Sequence, residues 1–296
     1  MTWRERAADL GYASGWGLVR ALPQRSAVRL FDAGARYSTR RGRAPEQLRR
    51  NLSRVIGAEP PHELLAASVR SYARYWREAF RLPSMDHAAI AAAVERNIYG
   101  LAHLDAGLAR GNGVVLALPH SGNWDVAGVF VVQRYGRFAT VAERLKPESL
   151  FWRFVRYRES LGFEIFPLSG GERPPYEQLA ERLRAGGVVA LLSERDMTKN
   201  GVPVTFFGEE ARMPAGPARL AAETGATLLP VDCHFTADGW GIGAGEPIDP
   251  SGGIEKTTQV LADRFAANIA AHPEDWHMLQ PLWLRDLSAD RLARLR

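Results

Sequence analysis

The sequence predicts an α/β fold: a mainly parallel sheet with helices on both faces, preceded by an N-terminal helical layer. Three observations lead there. Short apolar runs of five to six residues alternate with helix-length amphipathic stretches from about residue 88 onward, the pattern of strands joined by crossover helices. Residues 1–84 show no such runs, only helical stripes. The 296-residue chain is 46% hydrophobic and 24% charged, enough to build a sizeable core and too apolar for a disordered polymer. It carries no internal repeat or low-complexity linker, so one α/β domain over 1–296, with 1–84 as a basic helical layer and 85–296 as the core, is the simplest organisation.

In the N-terminal layer, Trp3, Ala7 and Leu10 form one stripe, and Ala27, Leu30, Phe31 and Gly34 a second after Pro23. Leu48, Leu52, Val55 and Ile56 follow Pro45, and Leu65, Val69, Tyr72, Trp76 and Phe80 follow Pro60-Pro61. Proline suits a helix start, where a missing amide donor costs little. This layer holds 16 arginines against 7 acidic residues, whereas the whole chain is only +5. Such a segment suits an anionic membrane surface, and a solvated basic face accounts for it equally well. Trp3, Trp16 and Phe31 are either interfacial anchors beside Arg20, Arg25 and Arg29 or core. Nucleic acid is the weaker partner, because no zinc-finger spacing or Gly-rich aromatic RNA motif is present.

In the core, a helix is expected over about 88–110, then a strand at Val114–Leu118, closed by Pro119. A helix over 125–135, a strand at Phe138–Ala142, a helix over 147–161 and a strand at Phe163–Leu168 come next. A helix over 175–185 leads to Val188–Leu192, and one over 216–224 to Ala226–Val231. Trp240–Gly243 adds a strand and 254–271 a final helix. One cysteine, Cys233, excludes an internal disulfide and a cysteine-rich zinc site. No apolar run approaches the roughly 20 residues that span a bilayer, and the first residues do not read as a signal peptide.

Ligands of parallel sheets bind beyond the carboxyl ends of the strands. The residues just after the strands are therefore candidates: His120; Glu143, Arg144 and Lys146; Ser169 to Gly171; Glu194, Arg195 and Asp196; Asp232 and His234. His120 stands out, with Asp125 five residues on at the start of a helix. A carboxylate there can hold one imidazole tautomer and leave the other nitrogen to take a proton. By itself the pair fits a surface histidine beside a capping aspartate equally well; the Ser121-Gly-Asn-Trp124 filling and the strand-to-helix position favour chemistry. Gly-x-Ser-x-Gly, His-Glu-x-x-His, a Walker loop and Gly-x-Gly-x-x-Gly are all missing, so the sequence supports no bound cofactor and no metal.

His120-Ser-Gly-Asn-Trp-Asp125 resembles the His-x4-Asp motif of lysophospholipid-type acyltransferases, and more closely the bacterial lipid A late-acyltransferase branch. Val202–Gly208, Met213–Leu220, Glu223-Thr-Gly-Ala226 and His272–His277 resemble that branch in the same order. Val141–Pro147, Tyr157–Gly162 and Ser193-Glu-Arg-Asp196 look most like actinobacterial phosphatidylinositol mannoside acyltransferases; the last departs from the Asp-Gln-Asp-like sequence of lipid A enzymes. The resemblance implies transfer of a long acyl chain, typically palmitoyl, from acyl-CoA as co-substrate. The acceptor it implies is the 6-hydroxyl of the mannose on inositol position 2 of a mannosylated phosphatidylinositol, at the cytoplasmic face of the plasma membrane. It makes His120 the general base, Asp125 its orienting partner, and Glu194 their neighbour. Glu143 would bind sugar hydroxyls, Arg158 would contact acyl-CoA or order the site, and Glu223 would be a coenzyme A contact. Ser121 and Asn123 are further substrate-binding candidates. Backbone amides near Gly122 and Asn123 are candidate oxyanion donors, and Arg195, Lys199 and Arg212 candidate phosphate contacts. Another lysolipid or glycolipid acceptor, or a non-catalytic lipid-binding protein, are the alternatives.

Overall fold

The computed structural model describes residues 11, 14–144 and 146–295. Its main sheet has seven strands: β1 (Ile98–Tyr99), β2 (Val114–Leu118), β3 (Phe138–Ala142), β4 (Glu164–Pro167), β5 (Val188–Leu192), β8 (Thr227–Phe235) and β9 (Trp240–Ala244). The order is β1-β9-β8-β2-β5-β3-β4, with only the β8–β9 pair antiparallel. A separate antiparallel hairpin is formed by β6 (Val202–Phe206) and β7 (Glu209–Met213). The expected parallel α/β architecture is thus present, with the helical region in front of it.

β2 is the axis of the sheet. All five of its residues are buried, as a strand covered on both faces requires. Its side chains alternate between two apolar clusters. Val114, Leu116 and Leu118 meet Val126, Val129 and Phe130 of the helix Trp124–Tyr135, together with Tyr75, Ala79 and Leu82. Val115 and Ala117 meet Leu261 and Phe265 of the helix Ile254–Ala271, with Trp276 and Trp283. One strand of period two therefore ties both helical layers to one sheet.

The N-terminal helices lie at Gln24–Ser38, Glu46–Ile56 and His62–Arg81. Residues 14–21 are also helical, while the Trp3, Ala7 and Leu10 stripe lies outside the described residues. Trp16 is no interfacial anchor: its indole N–H donates to the Phe80 carbonyl, and its ring packs on Phe80, Phe154 and Tyr157. Phe31 also turns towards Phe80. Among the described residues, the exposed large apolar side chains of this layer are instead Leu18, Leu30, Tyr37 and Ile56.

Three expectations need correction. The single helix over 88–110 is two helices, His87–Glu95 and Leu101–Ala109, split by β1. Ile98 and Tyr99 pair with Ile242 and Gly243 of β9, and Gly100 takes φ +68 to re-enter the helix. β8 runs on to Phe235, so Asp232 and His234 belong to the strand rather than to the loop after it. The stretch Val202–Met213, read without strands, is the β6–β7 hairpin.

At Gly100 a Cβ would stand 1.8 Å from the Ala244 carbonyl oxygen, a backbone atom that cannot swing aside. Gly100→Ala should cost about 2 kcal/mol or more, through strain at a positive φ and that clash. A urea midpoint unchanged from wild type would contradict it.

Candidate active site

His120 and Glu194 meet because their strands are in register. β2 and β5 pair with Leu118 opposite Leu192, so His120 and Glu194, two residues beyond each strand, are lateral neighbours across a spacing of about 4.8 Å. Glu194 Oε1 accepts from the His120 backbone N–H at 2.8 Å and from Nδ1 at 2.7 Å. Glu194 is fully buried. Burial pushes its carboxyl up, but the charge of His120 and the hydrogen bonds from its ring and backbone outweigh this and leave it below its ordinary value. An ionised carboxylate only accepts, so Nδ1 carries a proton, and in the neutral ring Nε2 is the nitrogen that keeps a lone pair. The imidazole side chain is 38% exposed. It can therefore meet a substrate.

Asp125 has other partners, which corrects the pairing expected from the motif. It is buried in the first turn of the helix Trp124–Tyr135. Its Oδ1 accepts from Arg158 Nε at 3.0 Å, and its Oδ2 accepts from the Tyr75 hydroxyl at 3.1 Å and that of Tyr157 at 3.4 Å. Burial, then the Asp125 charge, push both phenols well above their ordinary range, so they remain donors. Burial pulls the Arg158 guanidinium down, but Asp125 more than offsets it. Asp125 thus joins three helices. It reaches the imidazole only indirectly: the Tyr75 ring lies 4.1 Å from Trp124, whose ring stands 5.3 Å from His120 at 80°. Arg158 thus meets the start of the helix Trp124–Tyr135 through Asp125.

A C-terminal strap holds the loop from below. The His277 N–H donates to the His120 carbonyl at 2.8 Å, the Gly122 N–H donates to the Asp275 carbonyl at 2.8 Å, and Ser121 bridges Trp276. Gly122, at φ +56, packs so tightly that a Cβ would lie 2.6 Å from the Cys233 backbone. Its amide is engaged by Asp275, so it is not a free oxyanion donor. Ser121 is buried, with no hydrogen-bond partner on its hydroxyl. Asn123 spends both polar atoms on structure: Oδ1 caps the helix by accepting from Val126 N–H, and Nδ2 donates to Glu78.

The other candidates fall at varying distances from the imidazole. Extending the β3–β5 pairing places Glu143 level with Ser193, exposed and close enough for its charge to act on Arg195. Arg195 Nε donates to the Pro281 carbonyl. Arg212 reaches the Lys199 and Leu295 carbonyls beside the hairpin. Glu223 does not join the site. It accepts from the Tyr176 hydroxyl near the helix end at Gly225, which packs on Asn112 before β2, at the opposite edge of the sheet.

Sequence reasoning missed Ser71, Tyr75, Asp275 and His277 as parts of the site. The Ser71 hydroxyl donates to Asp275 Oδ1 at 2.6 Å and lies 2.9 Å from His277 Nε2. The signal available was the His272–His277 stretch itself, and Tyr75 one turn beyond Tyr72. His272, Glu274 and Asp275 bring three potential ligand atoms within 4.8 Å of one another, but both Asp275 oxygens already accept hydrogen bonds, from Ser71 and the Phe235 N–H.

Together these features define a class of site: a lone-pair imidazole, braced by a buried carboxylate at the carboxyl edge of a parallel sheet, able to deprotonate a substrate. A family model described as bacterial lipid A biosynthesis acyltransferase matches residues 5–285, and the chain belongs to that family. Proteins named phosphatidylinositol mannoside acyltransferase from two strains of Mycobacterium tuberculosis are 62% and 61% identical over 294 residues, covering 98% of this chain and 93% of each relative. One of the same name from Mycolicibacterium smegmatis is 60% identical and covered over 96% of its length.

Burial, then the charge of His120, lower the His277 imidazole to about 3. His277 is neutral when folded and takes a proton when unfolded below about pH 6.5, so the protein loses stability as pH falls through that value. The expected slope is about 1.4 kcal/mol per pH unit from this one group. Denaturant titrations between pH 6.5 and 4 should show His277→Gln losing one proton's worth of that dependence; identical slopes in both proteins would refute it.

Proposed function

We propose that this protein transfers a long-chain acyl group, palmitoyl in the first instance, from acyl-CoA to the 6-hydroxyl of the mannose on inositol position 2 of phosphatidylinositol mannosides. The observation that carries the reading is the 2.7 Å contact between His120 Nδ1 and Glu194, which leaves Nε2 as a base on a partly exposed ring. The names of the relatives supply the acceptor class.

His120 Nε2 takes the hydroxyl proton as the sugar oxygen attacks the thioester carbonyl. Glu194 stabilises the imidazolium that forms. The tetrahedral intermediate then expels the thiolate, which recovers the proton from Nε2 and leaves as coenzyme A. The exchange is direct and balanced, with one base serving as the acid. The Ser121 hydroxyl, next in sequence to His120 and without a protein partner, is the side-chain candidate for the oxyanion. Asp125, through Arg158, Tyr75 and Trp124, is a positioning residue in this scheme. Glu143 is the sugar contact.

The enzyme works as a peripheral protein at the cytoplasmic face of the plasma membrane in this reading. Among the described residues no helix is long and apolar enough to cross a membrane. Leu18, Leu30 and Tyr37 are exposed on helices that also carry Arg20, Arg25, Arg29 and Arg36, a combination that suits an anionic lipid surface.

With labelled palmitoyl-CoA and purified phosphatidylinositol mannosides, His120→Ala should lower kcat/KM by about 10³-fold or more, and Glu194→Gln by about 10²-fold, with circular dichroism unchanged. A His120→Ala enzyme close to wild type would end the proposal. Offering a lysophospholipid or another glycolipid in the same assay tests the acceptor: faster turnover of either would replace the mannoside as substrate.

A further inference from the structure

A cavity of about 380 Å3 opens on the same edge of the sheet as His120, between the helix His62–Arg81 and the turn joining β8 to β9. Arg74, Arg77 and Arg81, each one helical turn from the next, line it, and Arg74 spends its donors on Glu78 and the Thr236 and Gly239 carbonyls. Two carboxylates border it, and they do not neutralise it evenly. Glu78 is committed: Oε1 accepts from Arg74 at 2.8 Å, and Oε2 from Asn123 Nδ2 and the Trp240 indole at 2.8 Å each. Asp238 stands exposed at the rim.

Arg77 is the unusual member. It is only 7% exposed, yet its hydrogen bonding is limited to a long 3.4 Å contact with Glu78, and its Nε has no partner. The Nε of Arg81 is likewise unpartnered, while its Nη1 donates to the Val19 and Leu22 carbonyls. Burial, opposed by Glu78 and Asp32 and reinforced by the adjacent Arg74, lowers the Arg77 guanidinium below its ordinary value. A buried cation with unspent donors is costly unless something anionic shares the site. Guanidinium forks match the oxygens of a phosphoryl group.

We propose that this cavity is a phosphoryl-anion subsite, in which Arg77 and Arg81 grip the phosphate of a substrate whose reacting group lies at His120. Its wall is tied to the catalytic loop, because Glu78 holds Asn123, three residues and at most about 10 Å of chain from His120. The phosphate has two possible sources under the function proposed above: the phosphodiester of the acceptor lipid headgroup, or the phosphates of coenzyme A. The inference rests on that function for the identity of the ligand, but it is read by binding and not by turnover.

The test is calorimetric titration of the full chain with glycerophosphoinositol and, separately, with coenzyme A. Arg77→Gln should weaken one of the two by about tenfold. Gln24→Glu guards against misfolding, since it changes an exposed cavity residue at the first position of its helix, where an acid favours the helix. It should weaken the same ligand about threefold by repulsion, and Gln24→Arg should tighten it. Loss confined to glycerophosphoinositol assigns the subsite to the acceptor, and loss confined to coenzyme A assigns it to the donor. Wild-type binding of neither probe, or affinities indifferent to all three changes, overturns the proposal. Binding that behaves as expected in a protein without acyl transfer would instead sink the function and leave the subsite standing.

Discussion

The site depends on the parallel pairing of β2 with β5. Because Leu118 and Leu192 are opposite one another, the first residues able to leave each strand emerge at the same height. A glutamate two residues past one strand then has to meet a histidine two residues past the other. One carboxylate oxygen receives both the ring and the backbone N–H of His120, fixing the position of the residue as well as its tautomer. A slip of one residue would turn the side chains to the opposite faces and lose both bonds. The register is in turn enforced by burial, since every residue of β2 is packed on both sides.

Around this pair the protein places its charges so that few move during reaction. Asp125 is saturated by Arg158 and two phenols, and Asp275 by Ser71 and the Phe235 amide. Breaking such buried networks costs several kcal/mol, so they act as rigid braces. His277 is neutral below the loop and adds no competing positive charge beneath the imidazolium that the proposed proton transfer would form on His120. The freedom that remains sits on one nitrogen, which is what pre-organisation for proton transfer requires.

The N-terminal layer contributes more than a basic surface. The helix His62–Arg81 sends Tyr75 to Asp125, Ser71 to the strap and Glu78 to the N-cap of the catalytic helix. On its remaining side it carries the arginines that line the cavity beside the β8–β9 turn. One helix therefore couples the region that would face lipid to the loop that holds the base. The exposed Leu30 and Tyr37 on the neighbouring helix lie away from that packing.

The sequence by itself determined the periodic elements. Val114–Leu118, Phe138–Ala142 and Val188–Leu192 were legible as strands because buried parallel strands are unbroken apolar runs, and the helices between them because their stripes recur every three to four residues. It also marked His120 and Glu194 as loop residues at one edge. Strand order carries no local signal, so only the tertiary structure decided that Glu194, rather than Asp125, lies against the imidazole. The same holds for Tyr75, Asp275 and His277, drawn from segments separated by about 200 residues: their meeting follows from which helix packs on which face, a choice made by the whole core.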